Sequence, residues 1–125
     1  MKKIINTQNA PSAIGPYSQA VEYNGMIYVS GQLPINPQTG EFEGCDIVSQ
    51  TEQSIENIKA ILESAGSSLD NVLKSTIYLA NISDFSAMND VYSKYFKTEC
   101  PARAAFEVAN LPKGALVEIE VVAFK

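Results

Sequence analysis

Residues 116–124 read Leu-Val-Glu-Ile-Glu-Val-Val-Ala-Phe, and this stretch decides the fold. Its alternating, β-branched pattern predicts a strand. Because successive side chains of a strand point to opposite faces, one face is purely apolar: Val117, Ile119, Val121 and Ala123. The other face combines carboxylates with apolar side chains: Glu118, Glu120, Val122 and Phe124. This strand therefore belongs to a sheet that carries apolar side chains on both faces.

The first half of the chain begins with a hairpin over residues 17–29. Asn24-Gly25 supplies the two positive-φ positions of a type I′ turn, and Met26 to Val29 is rich in strand-forming residues. The Gly- and Pro-rich segment from Ser30 to Gly40 predicts a long loop. An amphipathic helix is expected from Ile47 to Ala65, with Asp46 as its N-cap and Gly66 as its stop.

The second half repeats strand and helix before the final strand. A strand is predicted over Asn71 to Ala80, and a helix capped by Ser83 is predicted to run to Phe96 or Lys97. A further strand follows over Arg103 to Ala109, with a turn over Asn110 to Gly114. The helix has one face made of large apolar side chains: Phe85, Met88, Val91, Tyr92, Tyr95 and Phe96.

This order of elements predicts an α+β fold with a mixed sheet and two helices on one face. At 125 residues the chain has room for one core, so a single domain over residues 1–125 is expected. The other face of the sheet needs cover because it carries apolar side chains. We therefore expect a homo-oligomer packed through this open face.

Composition excludes several function classes. The chain has no histidine, which removes histidine-dependent nucleophile systems and HExxH zinc sites. A net charge of -5 disfavours nucleic acid as a partner. No apolar run approaches the roughly 18 residues of a membrane span, and the N-terminus has no signal-peptide pattern, so no membrane partner and a cytoplasmic location are expected. Cys45 and Cys100 lack metal-site spacing, which favours free thiols, and no phosphate-binding glycine motif supports a nucleotide cofactor.

Arg103 precedes the apolar segment Ala104 to Phe106, where a guanidinium group needs an anionic partner. That partner is either a substrate carboxylate or a structural carboxylate from Glu107, Glu118 or Glu120, and the residues alone leave both interpretations open. Taken alone, the alternating glutamates of the last strand favour a solvated face over a general base.

A hairpin of the last two strands would place Arg103 opposite Val122. Glu118 would then lie four residues away, roughly 13 Å along the strand, out of reach within one chain. A bulge, a neighbouring chain or a substrate spanning the gap would be needed to join them. Tyr17 is consistent with either a pocket rim or packing, and the residues alone favour packing. Ser30-Gly31 begins the long loop, where ligands often bind.

Five separated segments resemble the reactive-intermediate deaminase family, also called Rid or YjgF, in order along nearly the whole chain. These segments are Gly15 to Ala20, Ser30 to Gln32, Asn89 within residues 85–89, Pro101 to Arg103, and Val117 to Glu120. The resemblance implies a chorismate-mutase-like fold, a homotrimer with clefts between subunits, and no cofactor or metal. It also implies hydrolysis of 2-imino or 2-enamino acids, such as 2-iminobutyrate and 2-iminopropionate, to 2-keto acids and ammonia.

The resemblance also assigns roles to single residues. Arg103 would bind the substrate carboxylate and Glu118 would position the attacking water. Pocket-lining positions are matched by Tyr17, Ser30, Gly31 and Asn89. Ala105 stands where many deaminating members carry a cysteine, and Cys100 does not occupy that position. This departure supports an alternative, a non-catalytic binder or sensor of 2-keto acids, while an RNA-acting translation inhibitor is disfavoured by the acidity of the chain.

Overall fold

The computed structural model describes all 125 residues as a six-stranded sheet with two helices on one face. The strands are β1 (Lys3–Ile5), β2 (Ala20–Tyr23), β3 (Met26–Gln32), β4 (Val72–Leu79), β5 (Ala102–Glu107) and β6 (Val117–Phe124). The helices are α1 (Ile47–Ser64) and α2 (Phe85–Tyr95). The sheet order is β1-β2-β3-β6-β4-β5, and only the β4–β5 pair is parallel. The α+β prediction with a mixed sheet is confirmed.

The local signals of the first half produce the expected elements. Asn24 and Gly25 have φ values of 51° and 78°, the backbone of a type I′ turn. The carboxylate of Asp46 accepts a hydrogen bond from the Ser49 N–H over 2.8 Å, which caps α1. Gly66 follows the helix with a φ of 81°. The hairpin and the first helix are therefore confirmed.

Two local predictions are wrong, and one strand was missed. Ser30 and Gly31 lie inside β3, not in the loop, because the strand continues to Gln32 through a register shift against β6. Ser83 does not cap α2, since a short 3₁₀ turn over Ile82–Asp84 precedes the helix. The short strand β1 was not predicted.

The assumed hairpin between the last two strands does not exist. β5 lies at the sheet edge and pairs only with β4, in parallel, so that Arg103 is aligned with Ser75. β6 lies between β3 and β4, both antiparallel to it. The physical reason is that α2 connects β4 to β5 as a crossover, which returns the chain in the same direction.

The core lies between the sheet and the helices. It contains 20 buried residues, including the predicted inward row of β6: Val117, Ile119, Val121 and Ala123. The opposite face is open, and large apolar side chains such as Tyr28, Phe106 and Phe124 are 49%, 44% and 42% exposed. Neither helix has the length and apolar character that crossing a bilayer requires.

Candidate active site

Arg103 lies on the helix-covered face of β5, where α2 supports its guanidinium group. Its Nη1 donates a hydrogen bond to Asn89 Oδ1 over 2.7 Å. The guanidinium carbon lies 4.9 Å from the ring centroid of Tyr92 and 5.5 Å from that of Phe85. Both distances are within the range of cation–π attraction. These contacts fix the direction of the side chain and leave its remaining N–H groups available for an anion.

A cavity of about 430 Å³ opens beside this guanidinium group. We call it the Arg103 pocket; its lining residues are Asn89, Tyr92, Ser93, Phe96, Cys100, Pro101 and Arg103. Arg103 is exposed, and the ion pair that the chain makes joins Lys125 to Glu22 instead. The structural alternative for Arg103, a pair with a carboxylate of its own chain, is therefore wrong.

The support for Arg103 was missed by sequence reasoning, although a signal for it exists. Phe85, Asn89 and Tyr92 occupy positions i, i+4 and i+7 of the sequence around α2, so they share one helix face. Phe85 and Tyr92 were assigned to packing alone. The signal is a polar residue, Asn89, between two aromatic residues on one helix face, because this combination can hold a cation such as the Arg103 guanidinium group.

Ala105 lies two residues beyond Arg103 on the same face and packs partly against the core. It does not line the Arg103 pocket, whereas Cys100 does. The Cys100 Sγ lies 3.4 Å from the Phe96 carbonyl oxygen. The thiol that lines the Arg103 pocket thus comes from the loop before β5, whereas Ala105 occupies the strand position that matches the cysteine of many family members.

Glu118 lies on the other face of the sheet, in the row of β6 that points away from the core. A Cβ atom added to Gly31 would lie 2.9 Å from Glu118 Cδ and 3.2 Å from Cγ, so the carboxyl group rests against the Gly31 backbone. The glycine is required for space, because any side chain there would displace the carboxyl group. Burial, and then the charge of Glu120, raise the pKa of Glu118 above its ordinary value.

Ser30, Gly31 and Tyr17 are near one another on the same side of the molecule as Glu118. The register shift sets Ser30 and Gly31 of β3 opposite the single residue Glu120. Tyr17 and Gly31 line a cavity of about 240 Å³. Ser30 Oγ donates a hydrogen bond to the Ser18 carbonyl over 2.6 Å, which ties β3 to the segment that carries Tyr17. We call Tyr17, Ser30, Gly31 and Glu118 the Glu118 group.

Gln19, two residues after Tyr17, holds the segment from Thr7 to Pro11 and was also missed. Its buried side-chain amide donates to the carbonyl oxygens of Thr7, Ala10 and Pro11, at 3.0, 3.3 and 2.8 Å, and its Oε1 accepts from the Thr7 N–H. The Tyr17 ring is 53% exposed, so it forms a rim and not part of the core. Its exposure and its place at the cavity favour the pocket-rim interpretation of Tyr17 over the packing interpretation.

The structure brings the expected site residues together as two separate sets. Arg103 and Asn89 belong to the Arg103 pocket, and the Glu118 group lies across the sheet. Because the two sets occupy opposite faces, a bulge cannot join them within one chain. No set of three or more Cys, Asp or Glu side chains is arranged to hold a metal ion.

Comparison with known proteins gives a consistent result. Residues 7–125 match the family model described as Endoribonuclease L-PSP. A goat 2-iminobutanoate/2-iminopropanoate deaminase is 51% identical over 123 residues, covering 98% of this chain and 90% of the relative. A Lactococcus lactis protein, AldR, whose name proposes a regulatory role, is 55% identical over 121 residues, covering 97% and 96%.

A solved structure agrees over the whole fold. The Rid family protein YyfA of Yersinia pestis, a protein of unknown function, superimposes with a TM-score of 0.98 and 54% identity, covering 100% of both chains. The match to the family model spans nearly all of this chain, and the deaminase relative is about half identical to it. The chain therefore belongs to the Rid (YjgF) family.

Proposed function

We propose that this protein hydrolyses 2-imino and 2-enamino acids, such as 2-iminobutyrate and 2-iminopropionate, to 2-keto acids and ammonia. The observation that carries the proposal is the unpaired Arg103, held at a cavity by Asn89 and two aromatic rings. A planar guanidinium group binds a carboxylate through two parallel hydrogen bonds, and a 2-imino acid presents such a carboxylate next to the reacting carbon. Family membership and the deaminase relative support the same activity.

The second half of the proposal is that each site is shared by two chains of a homotrimer. Arg103 and Glu118 lie on opposite faces of one sheet, so a substrate held by Arg103 of one chain needs Glu118 from another. The exposed apolar side chains of the open face favour an assembly that covers them, and Glu118 lies in that face. A closed ring of three chains with equivalent contacts supplies three such sites.

The reaction needs a carboxylate and water but no histidine. The substrate iminium carbon is electrophilic, and Glu118 takes a proton from water as the water oxygen bonds to that carbon. Glu118 then returns a proton to the nitrogen of the resulting carbinolamine. As the C–N bond breaks and the carbonyl forms, ammonia leaves and the hydroxyl proton passes to the Glu118 carboxylate. Glu118 then gives this proton to ammonia, which forms ammonium and restores the carboxylate. In total, one iminium group and one water give one ketone and one ammonium ion.

Trapping of the imine tests the activity. A threonine dehydratase generates 2-iminobutyrate in the presence of semicarbazide, and the decrease in semicarbazone reports hydrolysis by the protein. We expect wild type and Lys97→Ala, a control that removes a cation outside the Arg103 pocket, to compete with the trap. Arg103→Ala and Glu118→Ala should not. An inert wild-type protein across several imino acids would overturn the proposal.

Mixing the two inactive variants tests whether the site is shared. If Arg103 and Glu118 come from neighbouring chains, co-expressed Arg103→Ala and Glu118→Ala chains form some interfaces that carry both native residues. Random assembly of trimers then restores about a quarter of the wild-type sites. Absence of any recovery in mixed oligomers, confirmed by tags on both chains, would show that each site belongs to one chain.

A second candidate function is a sensor that binds 2-keto acids without turnover. It is favoured by Ala105 in place of the family cysteine and by the regulatory name of AldR. Calorimetry with 2-ketobutyrate separates the two. Tight binding that requires Arg103, together with no imine hydrolysis, identifies the sensor.

An action on RNA has little support in the residues. The family model carries an endoribonuclease description, but this chain has no histidine and a net charge of -5, which repels a phosphate backbone at long range. Salt-dependent RNA binding that survives Arg103→Ala would favour this function over deamination.

A further inference from the structure

Two carboxylates and one tyrosine form a connected group on the open face. Glu118 and Glu120 are alternate residues of β6, so their side chains share that face. Tyr78 on β4 is aligned with Glu118, yet its hydroxyl donates to Glu120 Oε1 over 2.6 Å. The Tyr78 ring packs edge-on against Phe106 with centroids 5.4 Å apart. The tyrosine is thus fixed by a neighbour and crosses diagonally to the second carboxylate.

The groups that face Glu118 leave the negative charge of Glu120 uncompensated. From β3 the titratable neighbour in this face is Tyr28, and from β4 the neighbours are Tyr78 and Lys74. Tyr17 and Lys113 line the cavity beside Gly31, against which the Glu118 carboxyl group rests. Neither Lys74 nor Lys113 makes an ion pair with Glu118 or Glu120, so within one chain the like charge of Glu120 acts on Glu118.

Tyr78 keeps Glu120 in place. The hydrogen bond to Glu120, with burial, raises the pKa of Tyr78 to about 12, so the hydroxyl remains a donor throughout the neutral range. The carboxyl group of Glu120 is consequently held at a fixed position beside Glu118 in the open face.

We propose that Glu120, held by Tyr78, is a positioning residue that enables Glu118 to return to the leaving nitrogen the proton it takes from water. A carboxylate that binds protons weakly accepts one from water poorly and holds it too briefly to deliver it. A fixed neighbouring negative charge strengthens proton binding by Glu118 without contacting the substrate. This inference rests on the proposed function, because it assigns the residues behind the base of that reaction.

The pH dependence of kcat/KM for 2-iminobutyrate tests the inference, with Glu120→Gln as the main variant. Glutamine keeps an acceptor for Tyr78 but removes the negative charge, so Glu118 should bind its proton less tightly. The acid limb of the profile, where kcat/KM falls as Glu118 is protonated, should therefore move to lower pH. At the acid end of the profile, kcat/KM divided by the plateau value of the same protein should then be several-fold higher in Glu120→Gln than in wild type. Tyr78→Phe should move the limb in the same direction by a smaller amount, because Glu120 loses the hydrogen bond that holds it beside Glu118.

A matched control exists in the helical layer. The Tyr95 hydroxyl donates to Glu56 Oε2 over 2.8 Å, so Glu56→Gln removes an equivalent tyrosine-bound charge far from the open face. The acid limb of the Glu56→Gln profile should coincide with that of wild type. A limb that moves equally in Glu56→Gln and Glu120→Gln reports net charge alone and overturns the proposal.

Failure of this inference and failure of the proposed function give different results. An active wild-type protein with the same acid limb in Glu120→Gln overturns this inference and leaves the proposed function intact. An inert wild-type protein removes the proposed function. Carbon-13 NMR titration of Glu118 in both proteins needs no turnover, and an unchanged Glu118 titration in Glu120→Gln overturns the coupling in either case.

Discussion

The Arg103 pocket holds an exposed cation against aromatic rings, whereas the Glu118 group holds a half-buried anion against backbone. Asn89 and two rings of α2 support the cation from the side and leave its outer N–H groups free. The carboxylate of Glu118 instead rests on Gly31, where burial and Glu120 strengthen its hold on a proton. The first region presents a cation with free donors, and the second presents a carboxyl group that holds its proton more tightly than usual, which fits the anion-binding and proton-exchanging roles that we propose.

This contrast predicts different kinetic consequences for the two regions. Loss of the anion-binding group should appear mainly in KM, since that contact is made in both the bound substrate and the transition state. Loss of the proton-exchanging group should appear mainly in kcat. Both expectations apply to the proposed hydrolysis of 2-imino acids.

The largest effect is expected for Glu118→Gln. Removal of a general acid–base typically lowers the rate by about 100- to 10,000-fold, and glutamine cannot accept a proton from water. We expect this loss in kcat with little change in KM, measured by steady-state hydrolysis of 2-iminobutyrate. A change in KM alone would mean that Glu118 binds substrate and that the contrast between the two regions is wrong.

Arg103→Ala should raise KM by about 100-fold or more with a smaller change in kcat, because two charge-assisted hydrogen bonds, each of at least about 1.5 kcal/mol, are lost. Calorimetry with 2-ketobutyrate should show the same loss of affinity. Arg103→Lys keeps the charge but not the planar pair of donors, and it should recover only part of the binding. Full recovery by lysine would show that charge, not geometry, determines binding.

Gly31→Ala should lower kcat by about 10-fold or more, since a displacement of about 1 Å can cost that much. The added Cβ would lie 2.9 Å from Glu118 Cδ and force the carboxyl group to move. Glu118→Asp shortens the carboxylic side chain, so it should lower kcat less in the Gly31→Ala background than in wild type. Additive effects of the two substitutions would show that the residues do not interact.

The smallest effect concerns stability and pH. Because the folded-state pKa of Glu118 is raised above its ordinary value of 4.5, the folded chain holds this proton more tightly than the unfolded chain. This contribution to the free energy of unfolding grows as pH falls through the range between the two pKa values and is lost as pH rises through it. Glu118→Gln should therefore have a slightly higher Tm than wild type at pH 7, with the difference shrinking in acid. Thermal denaturation at several pH values measures it, with Glu63→Gln as an exposed control.

Elements that depend on neighbouring residues were predictable. The Asn24-Gly25 turn, the Asp46 cap and the alternation of β6 each need only a few consecutive residues, and each is observed. Predictions failed where one segment must be placed against a distant one. Gly31 looked like a loop residue because its glycine suits a turn, but it is a strand residue that leaves room for the Glu118 carboxyl group.

The candidate site also has parts that the sequence could indicate and parts that depend on contacts between distant segments. Resemblance to the Rid family pointed to Arg103, Glu118 and their companions, but not to Phe85 and Tyr92 beside the guanidinium group. Those contacts need α2 to lie across the end of β5, which no local pattern specifies. Tyr78 and Glu120 are likewise joined only because β4 and β6 are neighbours in the sheet.

The sequence by itself determined most helices and strands of this protein, the apolar row that faces its core and the chemical types of its candidate site residues. Side-chain periodicity, turn chemistry and capping act over a few residues, so they are written in local patterns. Only the tertiary structure decided that Arg103 and Glu118 occupy opposite faces of one sheet. Strand order and register are set by contacts between distant segments, and the crossover through α2 carries β5 to the edge beside β4 and away from β6.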